Sequence, residues 1–221
     1  MRALQTKKGR AEHGLCLVEG TKFVRDAKPW VEFTFGVDDT PLFEELVTTE
    51  TPQEIAAVAR LPHATVFDLE KMPTILLCDG VQDPGNVGAI LRLCAAFNAG
   101  CIFVHCADIT APKVVRSSAG ALFTIPWMIL PPKEALTFVA CLKRPVFRLE
   151  SPKAGGTMQE ISRLPSVPLV LVVGSEGRGI TLPLEGETMT IPQQSATESL
   201  NVTHAVAIAL YTRYTLSRNG V

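Results

Sequence analysis

Three segments of this 221-residue chain carry polar and glycine residues immediately after apolar runs: DGVQDPGNVGAILR (79–92), VVGSEGRGI (172–180) and IPQQSATESLNV (191–202). In open α/β sheets ligands bind at the carboxyl ends of strands, so three such loops point to one shared pocket. None of them is a GxGxxG or a P-loop. Each also has a plain structural reading. Gly85 and Gly88 suit turns and packing, and GSEGRG suits any tight strand-to-helix turn. Glu176 could satisfy loop amides and Asn201 a helix end, while Ser195 and Glu198 fit the S-x-x-E capping box of a final helix. Arg92 has no such account. In the helix that starts near Gly85, residues Val87, Ile90, Leu91, Cys94 and Phe97 follow the i, i+3, i+4, i+7 rule, which leaves Gly88, Ala89 and Arg92 on another face. Of the histidines, His204 sits in an apolar helix and reads as a hydrogen-bonded core residue, and His13, His63 and His105 have no mutual spacing that suggests a site. Gly155 and Gly156 read as a turn.

These loops need a scaffold. Apolar strand candidates TILLCD, CIFVHC, PVFRLE and PLVLVVG alternate with helical patterns over GNVGAILRLCAAF, PPKEALTFVACLK and ESLNVTHAVAIALYTRY. Strands apolar on both faces and separated by helices predict a parallel sheet covered on both sides. The best boundary is DLEKMP, with Pro73 as its stop. Before it, GLCLVEG and VEFTFGV predict strands, TKFVRDA a helix, and TPQEIAAVAR a helix with Pro52 in its first turn. That makes a small α/β unit with polarised charge: Arg2, Lys7, Lys8, Arg10, Lys22, Arg25 and Lys28 outnumber acids up to residue 28, whereas 29–59 holds no Lys or Arg.

The ordered combination D-P-G-N-V-G-A-I-L-R, G-S-E-G-R-G and I-P-x6-S-L-N-V resembles the three motifs of the SpoU (TrmH-like) branch of the SPOUT RNA methyltransferases. KVVRSSAGALFTIP resembles that family's linking segment, and the likeness spans the region after Pro73. The opening KKGRAEHGLCLVEG is similar to the N-terminal substrate-binding domain of many such enzymes, related to kink-turn-binding ribosomal proteins. Gln193, Ser195 and Ala196 stand where the family usually has methionine and glycines.

The resemblance implies an α/β fold: a SPOUT-type parallel sheet with helices on both faces and a C-terminal trefoil knot, preceded by a small α/β RNA-binding domain. Residues 1–72 would be that RNA domain and 74–221 the catalytic domain. Elementary physics opposes a knot, because true knots are nearly absent from proteins; the resemblance alone brings it in. The implied activity is methyl transfer from S-adenosylmethionine to a ribose 2′-hydroxyl of RNA, ribosomal rather than transfer RNA. Asn86, Arg92, Glu176, Ser199 and Asn201 would surround the reacting groups. Backbone around Gly174, Gly177, Ile191, Gln193 and Leu200 would hold the cofactor, and Lys7, Lys8, Arg10, Lys22, Arg25 and Arg116 would meet RNA. A guanidinium keeps its proton to above about pH 12, so Arg92 is expected to bind the target phosphate and steady a developing alkoxide rather than act as a base. Asn86 and Glu176 would fix its orientation.

Bulk composition sets the frame for these expectations. With 21 Lys+Arg against 22 Asp+Glu the net charge is -1, so no whole-chain positive field attracts a polyanion and any RNA contact must be a local patch. The six cysteines never form C-x-x-C or C-x-x-H spacings, which predicts mostly buried thiols in a reducing compartment and no metal. No apolar stretch reaches the length of a membrane span, and MRALQTKKGR lacks a signal-peptide core, so a cytoplasmic protein without membrane contact is expected. The final helix carries more apolar surface than one sheet face requires, and the resemblance adds a two-fold homodimer. Two other functions compete: a catalytically inactive RNA-binding assembly factor that retains the cofactor fold, and a dinucleotide oxidoreductase. The retained Arg92, Glu176, Ser199 and Asn201 weigh against the first, and the missing Rossmann fingerprint against the second.

Overall fold

The structure, a computed structural model, describes residues 1–49, 53–62, 64–151, 159–194 and 199–219. The amino-terminal part opens with α1 (Lys7–His13) and continues through β1 (Leu15–Glu19), α2 (Thr21–Asp26), β2 (Val31–Gly36), α3 (Phe43–Leu46), β3 (Ile55–Arg60) and α4 (Val66–Glu70). Its strands form an antiparallel sheet in the order β1-β3-β2. The segment from Ile55 is therefore a strand and not the expected helix. Ala57 and Ala59 bury into one core and Ala56 and Val58 into another, so the segment is covered on both faces. Alanine's helix preference is worth only a few tenths of a kcal/mol per residue, and pairing with two neighbouring strands outweighs it. Pro52, Gly155 and Gly156 lie outside the described residues.

The larger part contains β4 (Thr74–Asp79), α5 (Pro84–Ala96), β5 (Ala99–Val104), α6 (Pro112–Ser117), β6 (Trp127–Ile129), α7 (Pro132–Leu142), β7 (Val146–Leu149), β8 (Gln159–Glu160), β9 (Leu169–Gly174), β10 (Glu187–Thr190) and α8 (Val202–Asn219). Its seven strands pair in parallel, in the order β6-β5-β4-β9-β7-β10-β8. Alternation along the strands sorts their side chains between two cores. Leu76, Cys78, Cys101, Phe103, Leu171 and Val173 pack beneath α5, α6 and α8. Ile75, Leu77, Ile102, Val104, Val170 and Val172 pack with Leu69 of α4 and with Ala135, Phe138 and Val139 of α7. Both faces are covered, as the apolar strands predict.

The two sheets share an interior. Cys16, Val18, Val24, Ala57 and Ala59 belong to the same buried cluster as Val87, Val114 and Leu122. Arg10 crosses this seam and overturns one expectation. It is buried, with Nε donating to Thr110 Oγ1 at 2.9 Å, one terminal nitrogen to Leu4 O at 2.8 Å and the other to Asp108 Oδ2 at 2.6 Å. Arg10 is thus a strut between the sheets, unavailable to RNA, because every face of its guanidinium is already occupied. His204 likewise departs from its reading: it is exposed on α8. Cys16, Cys78, Cys94 and Cys101 are buried and Cys141 is exposed. Burial pushes the Cys16 and Cys106 thiols up to about 12, so neither is a nucleophile near neutral pH. Among the described residues, no helix is long and apolar enough to cross a membrane.

Candidate active site

The first motif is a helix entrance. Asp83 is the N-cap of α5 and accepts the Asn86 backbone N–H at 2.9 Å, while Pro84 occupies the first turn. The backbone bond from Asn86 holds the Asp83 carboxyl below its ordinary value, against the opposing effect of desolvation. With its main chain engaged, Asn86 turns its carboxamide outward and donates from Nδ2 to Glu176 Oε1 at 2.7 Å. This bond joins the first motif to the second. Farther along α5, Gly88 lets α6 approach, since a Cβ there would stand 1.9 Å from Ser117 Oγ. It is buried in that helix contact rather than facing a ligand.

The second motif folds back on itself after β9. Gly179 N donates to Ser175 O at 2.9 Å, and a Cβ on Gly174 would meet the Gly179 carbonyl carbon at 2.0 Å, so only glycine permits this closure. The loop is then tied to the neighbouring strand. Asp79, buried at the end of β4, accepts from Thr181 Oγ1 at 2.9 Å and from Leu182 N at 2.8 Å through the same oxygen. Beside this loop lies a cavity of about 360 Å³, walled by the segments after β7, β9 and β10 and by the start of α8.

Gly174, Glu176, Gly177, Ile191, Gln193, Ser199 and Leu200 line that cavity. Asn86 does not line it but is bonded to Glu176, which does. Asn201 is spent on the helix end: its Oδ1 accepts from Thr203 N at 2.8 Å, immediately before α8. The final helix starts at Val202, with Ser199 to Asn201 still outside it, so the N-terminal cap is Asn201 and not Ser195. Ser195, Ala196 and Glu198 lie outside the described residues. Arg92 is exposed on α5 and, among the described residues, hydrogen-bonds to neither Asn86 nor Glu176. The expected orientation of Arg92 by those two side chains is therefore replaced by their bond to each other.

Sequence reasoning missed Arg148, Glu150, Arg178 and Thr190, which also line the cavity. Arg148 and Glu150 form an ion pair, with a terminal guanidinium nitrogen 2.6 Å from Glu150 Oε1. Arg148 Nε, Thr190 Oγ1 and Gln193 Oε1 are buried and have no hydrogen-bond partner among the described residues. Such groups are costly unless something completes them, and three of them around one cavity suit a polar ligand with both donors and acceptors. Among the described residues no group of three or more His, Cys, Asp or Glu could hold a metal ion.

Of the basic residues expected at RNA, Lys7, Lys8, Lys22 and Arg25 are exposed. Lys8 stands 3.7 Å from Glu12, a loose pair of little consequence for stability. Arg116 on α6 donates to Thr48 Oγ1 at 2.7 Å and lies 3.8 Å from Glu19, so it is partly committed to the seam between the sheets.

The model of the SpoU rRNA Methylase family matches residues 73–211. The chain is 33% identical to the 23S rRNA (guanosine(2553)-2′-O)-methyltransferase RlmP of Bacillus subtilis, over 94% of this chain and 92% of that one. It is 30% identical to the 23S rRNA (adenosine(1067)-2′-O)-methyltransferase of Streptomyces laurentii, over 94% and 88% of the two chains. The SpoU methyltransferase AviRb of Streptomyces viridochromogenes, solved in complex with AdoMet, superposes with a TM-score of 0.81 at 26% identity, covering 99% of this chain and 96% of that one. This chain belongs to the SpoU rRNA methylase family.

Proposed function

We propose that this chain is an RNA 2′-O-methyltransferase that transfers the methyl group of S-adenosylmethionine to a ribose hydroxyl of ribosomal RNA. The observation that carries this reading is the cavity at the carboxyl ends of β7, β9 and β10, lined by residues of the second and third motifs and joined to the first by the Asn86–Glu176 bond. Unpartnered Thr190 and Gln193 oxygens and the glycine-rich main chain beside them fit an adenosine-containing ligand. S-adenosylmethionine supplies a methyl group already activated on a sulfonium centre. The protein's task is then to position the hydroxyl and to tolerate its developing negative charge.

In this reading Arg92 does the second job. It is a permanent cation, exposed on the same helix that presents Asn86, and it binds the target phosphate and steadies the alkoxide. Asn86 and Glu176 hold the first and second loops in register. Ser199 shapes the nucleotide pocket, and Asn201 contributes by fixing the start of α8. Residues 1–72 grip RNA through Lys7, Lys8, Lys22 and Arg25, and 74–221 form the catalytic unit. The carboxyl-terminal part of this unit carries the trefoil knot that the motifs' resemblance implies. His204, Ile208 and Tyr211 form an exposed i, i+4, i+7 stripe on α8, and it mates with a second copy in a two-fold dimer. The protein works in the cytoplasm.

The test is single-turnover methylation of ribosomal RNA with labelled S-adenosylmethionine, followed by ribose-methyl mapping. Wild type should label a 2′-oxygen. Arg92→Lys should keep cofactor binding while turnover falls about 100-fold, because the planar fork is lost, and Arg92→Ala should fall further. Wild-type rates in Arg92→Ala would make Arg92 a surface residue and displace the site.

A further inference from the structure

The cavity lining mixes two kinds of residue. Val173, Ile180, Ile191, Leu200, Val202 and Ala205 are apolar. Arg148 and Glu150 also line it, as an ion pair whose side chains are only 28% and 16% exposed. A plain packing role does not account for this corner. Arg148 spends one terminal nitrogen on Glu150; the other reaches Leu184 O only at 3.5 Å, the limit of a hydrogen bond, and Nε has no partner among the described residues. A largely desolvated guanidinium with donors left over is expensive, whereas the same group given a second carboxylate becomes a strong, directional anchor. Because Glu150 already balances the charge, a lone anion or a lone cation would upset the corner. A ligand head carrying both charges would not.

We propose that the Arg148–Glu150 pair recognises the zwitterionic α-amino-acid end of S-adenosylmethionine: the carboxylate is held by the Arg148 guanidinium and the ammonium by Glu150. The adenosine is then left to the apolar side chains and loop main chain of the cavity. This rests on the cofactor reading above and assigns side chains to a ligand end for which the sequence motifs name none. Arg178 is the other guanidinium lining the cavity, but it is exposed, so water and salt compete for it.

Calorimetry on the full chain with S-adenosylmethionine, S-adenosylhomocysteine and 5′-methylthioadenosine separates the outcomes, because the last has the adenosine and lacks the amino acid. Arg148→Gln should raise Kd for the first two about 10- to 100-fold and leave methylthioadenosine within about twofold. Glu150→Gln should show the same selectivity more weakly and supplies the readout if Arg148→Gln does not fold, as judged by its melting curve. Arg178→Gln should leave the ratio between ligands unchanged. Equal weakening of all three ligands, no weakening of any, or a ratio that follows Arg178 overturns the assignment. A wild-type chain that binds none of the three overturns the cofactor reading itself, and the assignment with it.

Discussion

Arg10 and Arg148 are both guanidiniums largely withdrawn from water, and they differ in how completely they are used. Arg10, at the seam between the sheets, donates from all three nitrogens to Thr110, Leu4 and Asp108. Arg148 lines the cavity with Thr190 and Gln193, and among the described residues its Nε and their side-chain oxygens have no partner. A saturated polar cluster fixes geometry; an unsaturated one beside a cavity has bonding capacity to offer a ligand. Removing Asp108 should therefore hurt the fold most. Asp108→Ala strands the Arg10 charge in the interior and should cost about 3–5 kcal/mol in urea unfolding. Arg148→Gln should cost far less and act on ligand binding instead. If both variants unfold at the same urea concentration, the distinction between seam and cavity fails.

The same pair sets an acid limit. Burial alone would push the Asp108 carboxyl up, but hydrogen bonds from Thr110 and Arg10, with the guanidinium charge, outweigh it and hold the group below its ordinary value. A carboxyl whose folded pKa is depressed contributes stability above its unfolded value, about pH 4, and that contribution is lost as pH falls through the folded pKa. Unfolding midpoints should drop on acidification below about pH 4 in wild type and drop less in Asp108→Asn. An identical acid profile for the two proteins would remove Asp108 from this role.

On the cavity side, the Asn86–Glu176 bond spans 90 residues of sequence. Asn86→Ala keeps the Asp83 cap on the backbone, so α5 should form normally. Loss of one hydrogen bond to a carboxylate corresponds to roughly tenfold, which should appear in turnover or cofactor affinity with an unchanged melting temperature. A fall in melting temperature without a change in turnover would make the bond a piece of scaffold.

What the sequence disclosed follows the same division. The parallel sheet was legible because β4, β5 and β9 are apolar at nearly every position, a pattern only a doubly covered strand needs. The three loops were legible as motifs, since their glycines and capping residues are local in sequence. β3 was not, because an alanine-rich stretch reads as helix until two flanking strands are there to pair with it. Arg10 looked like part of a basic patch for a related reason: its partners, Asp108 and Thr110, lie about a hundred residues away. Arg148 and Thr190 sit outside every motif, and only the sheet order, which brings β7 beside β9 and β10, sets them at the cavity. Periodicity gave no sign of a knot; that expectation came from the motifs' resemblance.

The amino-terminal basic residues offer the finest version of the contrast, because one patch in sequence divides into two kinds of arginine and lysine in space. Lys22 and Arg25 lie exposed on α2, and a Cβ at Gly120 would stand 3.1 Å from Asp26 Cβ, so α2 sits against the turn after α6, on the side of the molecule that carries α5. RNA crossing from α2 to the cavity would meet these two cations on its way. Removing one cation that pairs with a phosphate should flatten the dependence of log affinity on log salt by about 0.7–0.9. The double variant Lys22→Gln, Arg25→Gln should thus bind RNA several-fold more weakly at low salt, with a slope shallower by about 1.4–1.8 and an unchanged urea midpoint. Arg10→Gln should do the reverse, lowering the midpoint with the slope intact. Filter binding across a salt series, run beside urea unfolding on the same samples, distinguishes the two: a double variant that keeps the wild-type slope means that RNA does not run over α2, and a flattened slope in Arg10→Gln means that the seam itself opens to admit it.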